Sequence, residues 1–303
     1  VGGEAFGGTF DRSGVDGEYY FQGGGIAYHI YRVEGLNEAV RQQGKITVSP
    51  EQIVASDRRL SRKEKEEIRL SVYTPGRLTN EPKIDGGGGD WRDVEPLQWD
   101  KDGRFPVSVR IGYDEENLYL YYEVSDDSPW VNRGLDWQTL FKSGDGVDLQ
   151  LGLNENADPS RSQPVPGDLR LLIASNEGED ICVVYRHRVP GAAVSEGVTF
   201  QSPWRNEHVD VVRRIGAAQI AVNRGADRYA VEAAIPLEEL GLQSLEGKSL
   251  RGDVGVIYGD AEGTINVFRN YWSNQATGLV NDVPGEIMLH PNLWGEIRFP
   301  ANR

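Results

Sequence analysis

The sequence predicts an all-β fold, an antiparallel β-sandwich or jelly roll, over residues 81–303. About ten strand-like segments follow Ile84, each bounded by turn residues. In residues 146–153, apolar side chains alternate with Asp148, Gln150 and Gly152. This period of two is typical of a strand with one buried face. The 37 Gly and 15 Pro residues of the chain favour the many turns that such a fold needs.

Charge is distributed unevenly along the 303 residues and narrows the choice of partners. The net charge is -15, and residues 1–80 carry equal numbers of acidic and basic side chains, so the whole excess lies after them. An acidic domain repels phosphate groups, which argues against nucleic acid and anionic membranes as partners. No apolar run is long enough for a transmembrane helix.

The first 80 residues differ from the rest in composition. Residues 1–44 contain two strand-like segments, Tyr19–Phe21 and Ile26–Val33, which we interpret as a β-hairpin left from a preceding domain such as a β-propeller. Residues 45–80 form a predicted connecting helix and linker, because Ser49–Gln52 has the pattern of a capping box. We expect this helix to end near Arg69.

The predicted strands of the sandwich share turn-separated spacing. They are Val107–Tyr113, Leu118–Val124, Val147–Leu153, Leu169–Ala174, Ile181–Arg188, Ile220–Val222, Tyr229–Ile235, Val254–Tyr258, Ile265–Tyr271 and Gly295–Phe299. Asp114–Asn117 is the predicted turn between the first two, and one short helix is expected from Pro236 to about Gly241.

Two kinds of side chain are candidates for ligand contact. Asp148, Gln150, Arg170 and Asn274 could hydrogen-bond vicinal hydroxyl groups, and Arg170 with Asp148 could equally form a cross-strand ion pair on a wet face. Both interpretations can hold together. Of the seven Trp residues, Trp91, Trp99 and Trp294 are expected in the core. Four others lie among polar residues and could stack on sugar rings, namely Trp130, Trp137, Trp204 and Trp272.

The order of several short motifs resembles family 9 carbohydrate-binding modules and the wider DOMON-like sandwiches. They are Ile84-Asp-Gly with Asp90-Trp91, Tyr113-Asp-Glu-Glu-Asn-Leu-Tyr-Leu120, Val124-Ser-Asp126, Asp145-Gly-Val-Asp148, Gly167-Asp-Leu-Arg170, Asn270-Tyr-Trp-Ser-Asn274 and Asn292-Leu-Trp-Gly295. The resemblance covers residues 82–300, and Asp148 stands where the family usually has Glu.

The resemblance implies a site as well as a fold. It implies that a sugar lies against Trp272, with Trp137 or Trp130 on its other face, and that Asp148, Arg170 and Asn274 bond its hydroxyls. It also implies a secreted bacterial multidomain protein, located outside the cell or in the periplasm.

Cofactor expectations are limited. The acidic side chains at Asp126-Asp127 and in residues 154–158 could bind structural calcium, which the resemblance also implies. The alternative interpretation is that they are solvated surface carboxylates. We expect no haem, because Met288 and His290 lie two residues apart on one segment and would not clamp opposite haem faces.

The favoured function is a non-catalytic polysaccharide-binding module. One alternative is a component of a polysaccharide-degrading enzyme, which needs two carboxylates flanking a sugar that the sequence does not single out. Another alternative is a structural or assembly domain without a sugar ligand.

Overall fold

A computed structural model describes residues 71–101, 103, 105–275, 277 and 282–301, and the backbone of four strands before them. The chain divides into two compact units, Val1–Ser61 and Arg62–Arg303.

The first unit contains an antiparallel sheet in the order β1-β2-β3-β4. Its strands are β1 Thr9–Arg12, β2 Tyr19–Gly23, β3 His29–Val33 and β4 Ile53–Ala55. The predicted hairpin corresponds to β2 and β3. The prediction of helix is wrong for Ile53–Ala55, because this segment is a strand that pairs with β3. Ile53 and Val54 are β-branched and occur in both helices and strands, so pairing with a neighbouring strand decides their conformation. The rest of the predicted helix lies outside the described residues.

The second unit is a sandwich of two main sheets. Its strands are β5 Val72–Tyr73, β6 Gly76–Arg77, β7 Leu97–Trp99, β8 Val107–Tyr113, β9 Asn117–Ser125, β10 Gly146–Gly152, β11 Asp168–Asn176, β12 Glu179–Arg186, β13 Val198–Gln201, β14 Asn206–Val209, β15 Val211–Arg214, β16 Gln219–Arg224, β17 Arg228–Pro236, β18 Ser249–Gly259, β19 Asn266–Tyr271 and β20 Gly295–Arg298. Its short helical segments are Gly89–Trp91, Trp137–Lys142, Val194–Glu196, Leu237–Leu240, Val283–Ile287 and Pro291–Leu293.

Strand pairing is mostly antiparallel in both sheets. The eight-stranded sheet runs β15-β12-β11-β10-β18-β20-β5, and β19 also pairs with β18. The six-stranded sheet runs β16-β17-β9-β8-β6, and β7 also pairs with β8. The small hairpin β13–β14 forms a third sheet. Each of the ten predicted strands overlaps an observed one, so the all-β sandwich is confirmed.

The main core lies between the two large sheets. Val109, Leu120 and Val231 of the six-stranded sheet pack against residues such as Leu149 and Leu171 of the eight-stranded sheet. Val109, Val231 and Leu149 alternate with polar or small residues along their strands, which is the period that predicted one inward face. Each sheet therefore also has an outer face, and the two outer faces differ.

The segment before β7 is anchored to the outer face of the six-stranded sheet. Glu232 accepts hydrogen bonds from Trp91 Nε1 at 2.7 Å and from the backbone N–H groups of Asp85 and Gly86 at 2.9 and 2.8 Å. Gly86 has a φ of +79°, a conformation that favours glycine. Trp91 is fully buried, so this motif is structural, as expected for this Trp.

Candidate functional site

Asp148 and Arg170 come together on the outer face of the eight-stranded sheet, on the neighbouring strands β10 and β11. Arg170 Nη2 lies 2.6 Å from Asp148 Oδ2, and the two side chains are 1% and 0% exposed. The hydroxyl of Tyr271 donates to the same carboxylate. The predicted ion pair is therefore present and points away from the main core, but it is sealed from solvent rather than lying on a wet face.

Two short helical segments cover this pair. Arg170 Nη1 donates to the carbonyl of Glu286 at 3.0 Å, and its guanidinium carbon lies 5.1 Å from the Phe141 ring centroid. The Glu286 carboxylate binds Lys142 at 2.9 Å and Arg269 at 2.7 Å. We call this covered surface the closed face.

The closed face is a second hydrophobic core. Side chains from the sheet, including Leu172 and Tyr185, pack against Phe141 and Ile287 from the covering segments and against Phe200 of β13. Asp136 begins the first covering segment by accepting the N–H of Gln138 at 2.9 Å. The protein's own side chains therefore fill the space above Asp148 and Arg170 that the sequence predicts for a sugar.

The two remaining polar candidates, Gln150 and Asn274, form internal hydrogen bonds, Gln150 through its side chain and Asn274 through its backbone. Gln150 Oε1 accepts the Trp294 Nε1–H at 3.0 Å, and Trp294 itself is buried. The backbone N–H of Asn274 donates to Asp253 Oδ2 at 2.9 Å, and its side chain is half-buried. The Gln150 side chain is therefore engaged within the protein, whereas the buried Oδ1 atom of Asn274 has no hydrogen-bond partner in the described part of the chain.

The predicted pair of stacking indoles is not assembled. Trp272 packs against the main core and Trp137 against the second core, so they lie on opposite sides of the eight-stranded sheet. Arg214 stacks over Trp137 at 5.3 Å. Trp130 is 5% exposed and packs on Tyr229 at 4.8 Å, so it is a core residue rather than a platform for sugar.

Carboxylates of the acidic loops accept hydrogen bonds from residues of their own turns. Asp126 Oδ1 accepts from the N–H and hydroxyl of Ser128, and Asp158 Oδ1 accepts in the same way from Ser160. Within the described part of the chain, no group of three or more His, Cys, Asp or Glu side chains could hold a metal ion. These turns do not fit a calcium site as they stand, and structural calcium stays a prediction.

An open groove crosses the outer face of the six-stranded sheet. Its volume is about 810 Å³, within the usual range for small-molecule sites. Side chains from β7, β8, β9 and β17 and from the β16–β17 turn line it; those that present polar or aromatic groups include Gln98, Arg110, Tyr121, Glu123, Asn223 and Arg228. We call this surface the open groove.

An exposed ion pair lies in the open groove. Arg110 Nη1 is 2.7 Å from Glu123 Oε2, and the two side chains are 22% and 49% exposed. Arg110 Nε also donates to the carbonyl of Val94 at 3.2 Å, which orients the guanidinium. The pair therefore presents donors and an acceptor to solvent in a defined geometry, as binding of vicinal hydroxyls requires.

Tyr121 borders the open groove but is itself only 4% exposed. It stacks on Trp91 with ring centroids 5.6 Å apart and planes inclined by 20°. Burial, together with the nearby carboxylates of Glu123 and Glu232, raises the pKa of its phenol to about 12. The Tyr121 ring therefore supports the floor of the groove by packing on Trp91, and it does not present a stacking surface to a ligand.

Sequence reasoning missed the residues of the open groove. The signal was available in β9, where Tyr119, Tyr121 and Glu123 alternate with the inward Leu118, Leu120 and Tyr122. Of the four Trp residues that the sequence suggests for stacking, Trp130, Trp137 and Trp272 pack in or against cores, whereas Trp204 is 66% exposed.

No protein-family model matches the chain, and a search of curated proteins gives no significant match. The structure is similar to a family 9 carbohydrate-binding module from Caldicellulosiruptor kristjanssonii, solved with glucose, at 18% identity and a TM-score of 0.44, covering 77% of this chain and 97% of that one. A family 9 carbohydrate-binding module from the same organism, solved with cellotriose, gives 18% identity and a TM-score of 0.46, covering 77% of this chain and 95% of that one. No helix among the described residues is both long and apolar enough to span a membrane.

Proposed function

We propose that the sandwich unit is a non-catalytic carbohydrate-binding module that binds a polysaccharide in the open groove. The observation that carries this proposal is the solvent-accessible Arg110–Glu123 pair, 2.7 Å apart, in a groove of suitable volume. A guanidinium donates to hydroxyls and a carboxylate accepts from them.

The closed face does not offer this chemistry, although it holds the same pair of groups. A buried ion pair exchanges partners with a ligand only if its cover is displaced, and the cover here is tied down by Lys142, Arg269 and Phe141. The expectation of sugar binding from the sequence therefore agrees with the proposal, but we place binding at the open groove instead.

A glycan array followed by affinity electrophoresis on the retained polysaccharides tests the proposal. We expect retention by the purified chain, and weaker retention by Glu123→Gln. Arg298→Ala is the matched control, because Arg298 forms an exposed pair with Glu296 at 2.7 Å and does not line the groove. Failure to retain any polysaccharide would refute the proposal and favour a structural or assembly role.

Release of soluble sugars from the retained polysaccharide distinguishes a binding module from a degrading enzyme. Hydrolysis requires two carboxylates positioned on either side of the scissile bond. We expect no product from the wild-type chain. Product that disappears in Glu123→Gln would show that the groove is catalytic.

We also propose that Val1–Ser61 is one blade of a propeller-like domain and that the protein acts outside the cell or in the periplasm. Four antiparallel strands in sequential order are the form of a propeller blade. Polysaccharide ligands are consistent with that location, and cell fractionation tests it.

Expression of residues 71–303 should give a β-rich circular dichroism spectrum, whereas an unfolded product would show that the first unit is needed for folding.

A further inference from the structure

The floor of the open groove is one straight row of paired residues. In the strand register, Gln98 pairs with Ser108, Ser108 with Glu123, Glu123 with Ala230, and Ala230 with Asn223. Directly paired residues of antiparallel strands point to the same face of a sheet. The row therefore crosses β7, β8, β9, β17 and β16 at right angles to the strands.

The row alternates between small and hydrogen-bonding side chains. Ser108 and Ala230 are short and flank Glu123, whereas Gln98 and Asn223 carry amide groups at the two ends. Arg110 and Tyr121 pair with each other in the adjacent row on the same face. The small residues provide depth, and the amides and the ion pair provide three separate places for hydroxyl binding.

Both ends of the row are accessible to solvent. Gln98 and Asp100 are exposed at one end, and Asn223, Gly225 and Asp227 are exposed at the other. Four inter-strand spacings separate the ends, about 19 Å at ~4.8 Å each. Among the described residues that line the groove, none closes either end, so a chain longer than the groove can continue beyond it.

Charges around the groove nearly balance. Its lining contains two guanidinium groups, Arg110 and Arg228, and three carboxylates, Asp100, Glu123 and Asp227. The whole chain carries a net charge of -15. Neither the local nor the overall field favours an anionic ligand.

We propose that the open groove binds an internal segment of a linear, uncharged glycan chain that lies across the strands along the Gln98–Asn223 row, which rests on the carbohydrate binding proposed above. The Arg110–Glu123 pair bonds the central sugar, and Gln98 and Asn223 bond sugars on either side. Recognition therefore requires several consecutive sugars and does not require a chain end.

Isothermal titration calorimetry with cellohexaose, xylohexaose and mannohexaose, each also reduced at its end with borohydride, tests this inference. For the hexaose that binds, we expect the reduced form to bind within about twofold of the native form, and the corresponding disaccharide to bind at least about tenfold more weakly. Carboxymethyl cellulose, an anionic chain, should be retained less than neutral cellulose derivatives.

Variants at the two ends of the row locate the chain. Gln98→Ala and Asn223→Ala should each weaken hexaose binding about threefold, and Arg110→Ala about tenfold. Arg298→Ala, outside the groove, should bind as the wild type does. All four side chains are at least partly exposed, so folding is preserved, and circular dichroism verifies this.

The outcomes separate this inference from the function on which it rests. Loss of binding on borohydride reduction, or wild-type affinity in both end variants, would overturn the inference while leaving carbohydrate binding intact. Absence of binding to every hexaose and every polysaccharide would contradict both.

Discussion

The two outer faces of the sandwich carry the same pair of groups in different surroundings. Arg170 and Asp148 lie 2.6 Å apart with at most 1% exposure, and Arg110 and Glu123 lie 2.7 Å apart with 22% and 49% exposure. The distances are nearly identical, so the geometry of the pair does not distinguish the faces. The two faces differ in what covers the pair, because only the closed face is packed under residues 137–142 and 283–287.

The difference shows that an arginine–carboxylate pair on a strand is not by itself a site. Beneath a cover, both charges have lost their hydration, and their mutual attraction and neighbouring hydrogen bonds must offset that cost. In the open groove, water remains and can be exchanged for sugar hydroxyls at little cost. We therefore expect the two pairs to respond in opposite ways to substitution.

The largest expected effect is the loss of stability when the buried pair is broken. Arg170→Ala should lower the free energy of unfolding by about 3–5 kcal/mol, because it leaves Asp148 charged, buried and without its cation. Arg110→Ala is the matched control and should cost less than about 1 kcal/mol. Urea denaturation measures both, and equal losses would contradict the distinction between the faces.

Replacement of both buried charges sharpens the comparison. The double substitution Asp148→Leu with Arg170→Met should destabilise the protein by less than Arg170→Ala alone, because no uncompensated charge remains. The hydroxyl of Tyr271 loses its acceptor, so some loss persists. A double variant that is less stable than Arg170→Ala would indicate that the buried pair is itself strongly stabilising.

The buried carboxyl group of Asp253 on β18 also predicts a dependence of stability on pH. Burial raises the pKa of Asp253 to about 7, although three backbone N–H groups act in the opposite direction. A folded-state pKa above the unfolded value means that stability is full below about pH 4 and is lost as the pH rises towards 7. The slope is at most about 1.4 kcal/mol per pH unit for one group.

Chemical denaturation at several pH values between 4 and 7 measures this effect. The stability of the wild type should fall more steeply with rising pH than that of Asp253→Asn, which does not ionise. The difference between the two slopes isolates Asp253 from the buried histidine His187, whose lowered pKa acts in the other direction. Parallel slopes would show that Asp253 is ionised throughout.

The smallest expected effect concerns calcium. The expectation of structural calcium from the sequence predicts that calcium raises the free energy of unfolding by about 1 kcal/mol, or the melting temperature by about 2–4 °C, whereas the hydrogen-bonded acidic turns predict no change. Calorimetry of protein purified with calcium, before and after EDTA, measures this shift. An unchanged melting temperature would exclude structural calcium.

The sequence by itself determined the strands and the direction of their side chains. Alternation in residues 146–153 correctly indicated that Asp148 points away from the main core, because successive side chains of a strand point to opposite faces. The pairing of Asp148 with Arg170 was also foreseeable as a cross-strand ion pair. Trp91 and Trp294 were correctly expected in the core.

Only the tertiary structure decided which outer face remains open. The alternation of side chains indicates that a strand has two faces, but it does not indicate what covers each face. The cover of the closed face comes from Phe141 and Ile287, which are far apart in the sequence and meet on the sheet. The open groove likewise depends on the register of five strands, from Gln98 to Asn223. Register is set by long-range pairing, and a shift of one residue would turn Glu123 inward.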